Sequence, residues 1–331
     1  MPSLLLILCI GITFFLSVIL NRWWIKRARK AGLTGKDMHK PDKREVAEVG
    51  GLSTFAAFLL GILLYLGIRT FLFKTTNNNL EILAGVLAVT FIALIGLVDD
   101  ILGWKIGLRQ WQKPIFCLFA ALPVMMINAG NSTMDLPFFG TTNIGILYAL
   151  IVIPVTISAS ANAFNMIAGY NGLEAGMGII MLFGIGFIVW IVQGQGIYAM
   201  LGAVMIAALL GFLIFNHYPA KLFPGDTMTY SVGALIAVIA ILGNAEKALL
   251  VLFLPYILQF FIKARHGWRK EGFSEIGTNG EISNPSKINA IEHLVTRILY
   301  YLKKRVYEVD VVYSLLMIEV LLVTITLLSI L

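Results

Sequence analysis

Gly243-Asn244-Ala245-Glu246-Lys247 lies between two apolar stretches, 229 to 242 and 248 to 262. Read as a turn, it separates two membrane crossings. Read as helix, it merges them into one and moves every later loop to the other side. Working outward, further apolar stretches recur at 3 to 20, 50 to 72, 80 to 98, 114 to 127, 144 to 161, 173 to 192, 197 to 215 and 311 to 331. Most approach the roughly 20 residues that cross a bilayer as a helix. Loop charge decides the reading, because cytoplasmic loops collect Lys and Arg. With the turn, 21–49, 99–113, 162–172, 216–228 and 263–310 share one face and hold 22 of the 25 Lys and Arg. The other face keeps Arg69, Lys74 and Lys247. Without the turn that contrast collapses, so ten spans are expected, with both termini outside.

Composition agrees. The chain is 59% hydrophobic and only 13% charged, against about 25% charged in soluble domains. The net charge of +7 reads first as topology and second as an anion-binding face, with no need for nucleic acid. The N-terminal apolar run lacks a basic start, since Arg22 to Lys30 follow it, and is expected to remain as the first span. Cys9 and Cys117 fall inside spans, so neither a disulfide framework nor a thiolate metal site is indicated. The expected fold is one domain over 1–331, an all-α integral membrane bundle of about ten transmembrane helices. Its largest inner loop, 263–310, carries Asn279-Gly280 between short flanks, a β-hairpin signal. Ile288, Ile291, Leu294, Val295, Ile298, Leu299 and Leu302 follow at helical spacing, which predicts an amphipathic helix at the interface.

The unusual polar residues gather on the inner face. Asp99 and Asp100 end the third span, where adjacent carboxylates call for a cation, a basic partner or water. Lys105, Arg109 and Lys113 follow in the same loop, so a metal and a phosphate could bind there together; a solvated helix end is the plainer alternative. The fifth span ends in Asn162-Ala163-Phe164-Asn165, followed by Asn171-Gly172-Leu173-Glu174. Asparagine oxygens ligate hard cations, and the amide can read a base edge. In Phe223-Pro224-Gly225-Asp226-Thr227 a sharp turn opens a helix at Asp226, which is either a helix cap or a metal ligand. Lys263-Ala264-Arg265-His266-Gly267-Trp268-Arg269-Lys270 has the composition of a pyrophosphate clamp, although positive-inside charge also accounts for it.

Together, Val98-Asp99-Asp100-Ile101-Leu102-Gly103, the two asparagine motifs and Phe223-Pro224-Gly225-Asp226-Thr227 occur in an order that identifies a family. The chain resembles the polyprenyl-phosphate N-acetylhexosamine-1-phosphate transferases over nearly its whole length. Within them it is most similar to the eukaryotic and archaeal UDP-N-acetylglucosamine:dolichyl-phosphate N-acetylglucosamine-1-phosphate transferases. Bacterial relatives usually carry aspartates where this chain has Ala168 and Asn171. The resemblance implies transfer of GlcNAc-1-phosphate from UDP-GlcNAc to a dolichyl or other polyprenyl phosphate, the first membrane step of lipid-linked oligosaccharide synthesis. It implies Mg2+, with Mn2+ as a substitute, held by Asn165 and Asp226, and Asp99 and Asp100 beside the lipid phosphate. Glu48, Lys113, Asn162, Arg265, His266 and Arg269 would bind the nucleotide sugar, and Asn171 would read uracil. A homodimer is expected by analogy alone.

An undecaprenyl-type transferase and a transporter are the rival readings. Transporters place ionisable groups near the membrane midplane. Glu319 is the one charge clearly inside a span here, so the distribution favours interfacial chemistry.

Overall fold

The computed structural model describes residues 2–136, 140–265 and 272–330. In chain order it contains α1 (Pro2–Ala31), β1 (Thr34–Lys36), β2 (Glu45–Ala47), α2 (Gly50–Phe71), α3 (Asn79–Ile106), α4 (Gln112–Ala120), α5 (Leu122–Met126), β3 (Thr133–Leu136) and β4 (Gly140–Asn143). It continues with α6 (Ile153–Phe164), α7 (Leu173–Phe187), α8 (Gly196–Asn216), α9 (Gly225–Leu242), α10 (Glu246–Leu252), α11 (Leu254–Arg265), α12 (Ile291–Leu302) and α13 (Glu308–Ile330). One π-helical turn, Tyr148–Val152, leads into α6, and another, Ile188–Val192, extends α7.

Seven of these helical segments are long and apolar enough to cross a membrane. The chain does turn after α9, but over Gly243, Asn244 and Ala245 only, since Glu246 already begins α10. Helices α10 and α11 are bent by 57° against each other and count as an eighth span if taken together. Gln112–Met126 and Tyr148–Phe164 are shorter apolar helical stretches at two more of the expected places.

Helix α9 is the axis of the bundle. Beyond its polar first turns, Asp226 to Ser231, it is apolar on every side, the mark of a helix surrounded by others, and 89% of it is buried. Helices α3, α6 and α2 pack along it. By contrast α1 and α13 are largely exposed apolar helices, 28% and 33% buried, as lipid-facing helices must be. Glu319 of α13 is fully buried, and neither carboxylate oxygen has a hydrogen-bond partner among the described residues.

The all-α expectation is corrected at two places, where β1 pairs with β2 and β3 with β4, both antiparallel. Strands of three or four residues carry too little alternation to be read from sequence. Between α11 and α12 Ile276 and Ile282 form an antiparallel bridge, with Gly280 at φ 76° in the turn between them. Helix α12 buries Glu292, His293 and Thr296 together with Ile291 and Val295, and exposes Ile298, Tyr301 and Leu302.

Candidate functional site

The site begins where the C-terminal end of α3 meets the first turn of α9. A helix leaves its first N–H groups without partners, and α9 has no side-chain cap of its own from Pro224. Asp100 supplies one from the neighbouring helix. Its Oδ1 accepts the Asp226 N–H at 2.7 Å, and its Oδ2 accepts the Thr227 N–H at 3.0 Å and the Thr227 hydroxyl at 2.6 Å. The carboxylate thus meets the positive end of the α9 dipole. Gly225 makes the approach feasible: its φ is +71°, and a Cβ there would lie 2.6 Å from Asp100 Oδ2. Asp226, read from sequence as either cap or ligand, is not the cap, and its side chain is left to other work.

That side chain meets Lys113, the second residue of α4. The Lys113 ammonium lies 2.7 Å from Asp226 Oδ2 and 2.7 Å from Asp99 Oδ2. The other oxygen of Asp99 accepts the Leu108 N–H at 2.6 Å. This return of the chain follows a break in α3 at Gly103, where φ is +66°. Two carboxylates share one lysine here, and Asp100 adds a third acid behind them under the α9 terminus. Asp99, Arg109, Gln110 and Lys113 line an open cavity of about 690 Å³ beside the cluster.

The end of α6 joins from the other side. Asn165 Oδ1 accepts the Thr229 hydroxyl of α9 at 2.7 Å. Asn162 Oδ1 accepts the Tyr230 hydroxyl at 3.3 Å, while its amide donates to the Ser158 carbonyl at 2.8 Å. Successive residues of α9, Asp226 to Tyr230, therefore gather Asp100, Lys113, Asn165 and Asn162.

Asn171 belongs to a different network. It is buried, its N–H donates to Glu308 Oε1 at 2.6 Å, its amide donates to Asp37 Oδ2 at 3.2 Å, and its Oδ1 accepts the Ala220 N–H at 2.6 Å. The buried Lys40 ammonium bonds Glu308 Oε2 and lies 3.2 Å from Asp37 and 4.2 Å from the Tyr218 ring centre. Asp37, His39 and Glu308 are close enough together to resemble a metal cluster. The Lys40 ammonium already provides the cation there. His39 packs against Tyr170 with ring centres 4.1 Å apart and planes tilted by 30°. Burial holds its pKa down at about 4, against the attraction of Asp37 and with the help of the Lys40 charge.

Glu48 is half-buried ahead of α2, with its carboxylate folded over Gly35 of β1, and burial raises its pKa. Arg265 is exposed in the last turn of α11. His266 and Arg269 lie outside the described residues. Sequence reading placed Thr227 in a motif without a role and missed Thr229 and Tyr230, although their spacing after Asp226 on one helix was visible. It also missed Asp37, His39, Lys40 and Glu308, which carry no signal apart from the general charge of the loops that hold them.

Long apolar helices whose ends collect carboxylates, a lysine and two asparagines define a polytopic membrane enzyme with its polar chemistry at the helix ends. The chain belongs to glycosyl transferase family 4, whose sequence profile matches residues 82–244. It is 37% identical to a Saccharolobus solfataricus protein over 90% of this chain and 89% of that one. It is 34% identical to one from Sulfolobus acidocaldarius over 97% and 98% of the two chains. Both carry the name "Putative UDP-N-acetylglucosamine--dolichyl-phosphate N-acetylglucosaminephosphotransferase". The phospho-N-acetylmuramoyl-pentapeptide-transferase of Streptococcus thermophilus is 33% identical over 74% of each chain.

Proposed function

We propose that this chain transfers N-acetylglucosamine 1-phosphate from UDP-N-acetylglucosamine to dolichyl phosphate or a related polyprenyl phosphate. The products are the lipid-linked sugar pyrophosphate and UMP. The single observation that carries the reading is the Asp99–Lys113–Asp226 bridge at the mouth of an apolar bundle, together with relatives of nearly equal length that bear the name of this activity.

An oxygen of the lipid phosphate attacks the β-phosphorus of the nucleotide sugar. The bond from that phosphorus to the bridging oxygen breaks, and UMP leaves with its electron pair. A phosphate monoester has a second pKa near about 6, so the nucleophile is already ionised at neutral pH and needs no strong base. The residues' task is placement and charge compensation. Lys113, and Arg109 one turn before it on the same cavity wall, would face the phosphates. Asp100 has both oxygens committed to the α9 cap, which supports a holding role for it rather than proton transfer.

The donor set also suits a divalent cation. Asp99, Asp226 and the Asn165 carbonyl are hard oxygen donors of the kind Mg2+ and Mn2+ prefer, and Asn165 Oδ1 keeps a second lone pair beyond its bond from Thr229. Asn165 and Asp226 would hold the ion, which when bound would offset charge on the pyrophosphate and on departing UMP. In the membrane, the bent α10–α11 pair and the two shorter stretches would complete ten crossings. Both termini then lie outside and the site faces the cytoplasm, in keeping with the concentration of Lys and Arg.

Purified protein incubated with Mg2+, dolichyl or undecaprenyl phosphate and a panel of UDP-sugars tests the proposal by mass analysis of the lipids. UMP and a GlcNAc pyrophosphate lipid are expected, with dolichyl phosphate preferred. Absence of any sugar-linked lipid, or solute flux across proteoliposomes without one, overturns it.

A further inference from the structure

Met166 directly follows Asn165, just beyond the end of α6, where helix carbonyls run out of partners within the helix. Its carbonyl oxygen accepts two side-chain donors from α11, Gln259 Nε2 at 2.8 Å and Lys263 Nζ at 2.9 Å. Two donors saturate the two lone pairs of that oxygen. Lys263 also brings a positive charge to the negative end of the α6 dipole. Gln259 is fully buried, and its own Oε1 accepts the Ile291 N–H at 2.7 Å, the first residue of α12. On the other flank, Thr229 of α9 holds the Asn165 side chain. Asn165 is thus pinned on the side chain by α9 and along the backbone by α11.

We propose that Gln259 and Lys263 are positioning residues for the metal site. They fix the backbone beside Asn165 through the Met166 carbonyl, and Gln259 makes that setting depend on the docking of α12. The inference rests on the reading of Asn165 as a metal ligand. Neither residue touches the reacting atoms. Their effect runs through the backbone that carries Asn165, while Thr229 holds the side-chain carbonyl itself.

Mn2+ binding to the purified full-length chain in the presence of UDP, followed by electron paramagnetic resonance, tests it without reliance on turnover. K263M and Q259L are expected to weaken Mn2+ binding about tenfold or more, the usual consequence of losing a residue that orients a ligand. K263R, which keeps a donor, stays near the parent. N165A is the control for the underlying reading. The inference is overturned if K263M and Q259L are monodisperse, melt near the parent temperature and bind Mn2+ at the parent concentration while N165A binds more weakly. If N165A itself binds like the parent, the metal-ligand reading fails and takes this inference with it. Should Q259L not fold, the K263M and K263R pair decides alone, since Lys263 is partly exposed.

Discussion

Asp100 sits under the first turn of α9 and takes the backbone N–H of Asp226 at 2.7 Å. One acid of the Asp99-Asp100 pair therefore builds the platform on which a third acid, Asp226, is presented. Asp100→Asn keeps an acceptor but turns an amide NH2 toward donors, leaving part of the helix end unsatisfied at a cost of about 1–3 kcal/mol. We expect a lower melting temperature and a turnover reduced by the same factor from pH 6 to pH 9. A loss confined to low pH, with recovery at high pH, would instead mark Asp100 as a proton acceptor.

Gly225→Ala attacks the same junction from the other side. The new methyl would stand 2.6 Å from Asp100 Oδ2 at a φ of +71°. Such a backbone conformation costs about 1–3 kcal/mol in a residue with a side chain. Turnover and melting temperature should both fall, and Asp100→Ala in the same chain should restore part of the stability by removing the clash but none of the activity. Parent-like behaviour of the single variant would show that the α3–α9 contact is looser than described.

Lys113→Met leaves Asp99 and Asp226 facing each other without the ammonium that now bridges them. Lost charge compensation at the phosphates should cut UMP release by about a hundredfold, roughly 2.7 kcal/mol of barrier. Lys113→Arg, with the charge kept and the reach altered, should retain more activity than the methionine variant. Equal activities for the two would remove charge as the reason for Lys113.

These junctions show what could and could not be read in advance. The long spans were legible because bilayer thickness imposes a length on apolar runs, and Asp99, Asp100, Asp226 and the asparagines stood out as polar residues in apolar surroundings. The pairing was not legible. Nothing in Asp99-Asp100 tells which carboxylate turns toward α9 and which toward Lys113, because that depends on helix rotation and on the break at Gly103. Lys40 looked like one more positive-inside charge, yet it is buried against Glu308 and Asp37 from distant elements. Asn171 carried the pattern of a base-reading amide, and nothing in its motif told that it also ties the β1–β2 turn to α13.

Two buried groups outside the spans make opposite demands on pH. Burial lowers His39 from its ordinary 6.5 to about 4. Between those values the unfolded chain binds a proton that the folded chain refuses, so this stabilisation is complete above pH 6.5 and is lost as pH falls toward 4. Burial raises Glu292 from 4.5 to about 7, with Lys263 opposing the shift. Here the folded chain keeps a proton that the unfolded chain has released, so the contribution is complete below pH 4.5 and is lost as pH rises through 7. The two slopes oppose each other between pH 4.5 and 6.5, and each variant should expose the other group. His39→Phe, which preserves packing against Tyr170, should make melting temperature fall more steeply as pH rises through this window. Glu292→Gln should make it rise instead. Melting curves of the detergent-solubilised protein at half-unit steps from pH 4.5 to 8 decide it, and parallel curves for parent and both variants would rule out these two groups as the source of any pH dependence.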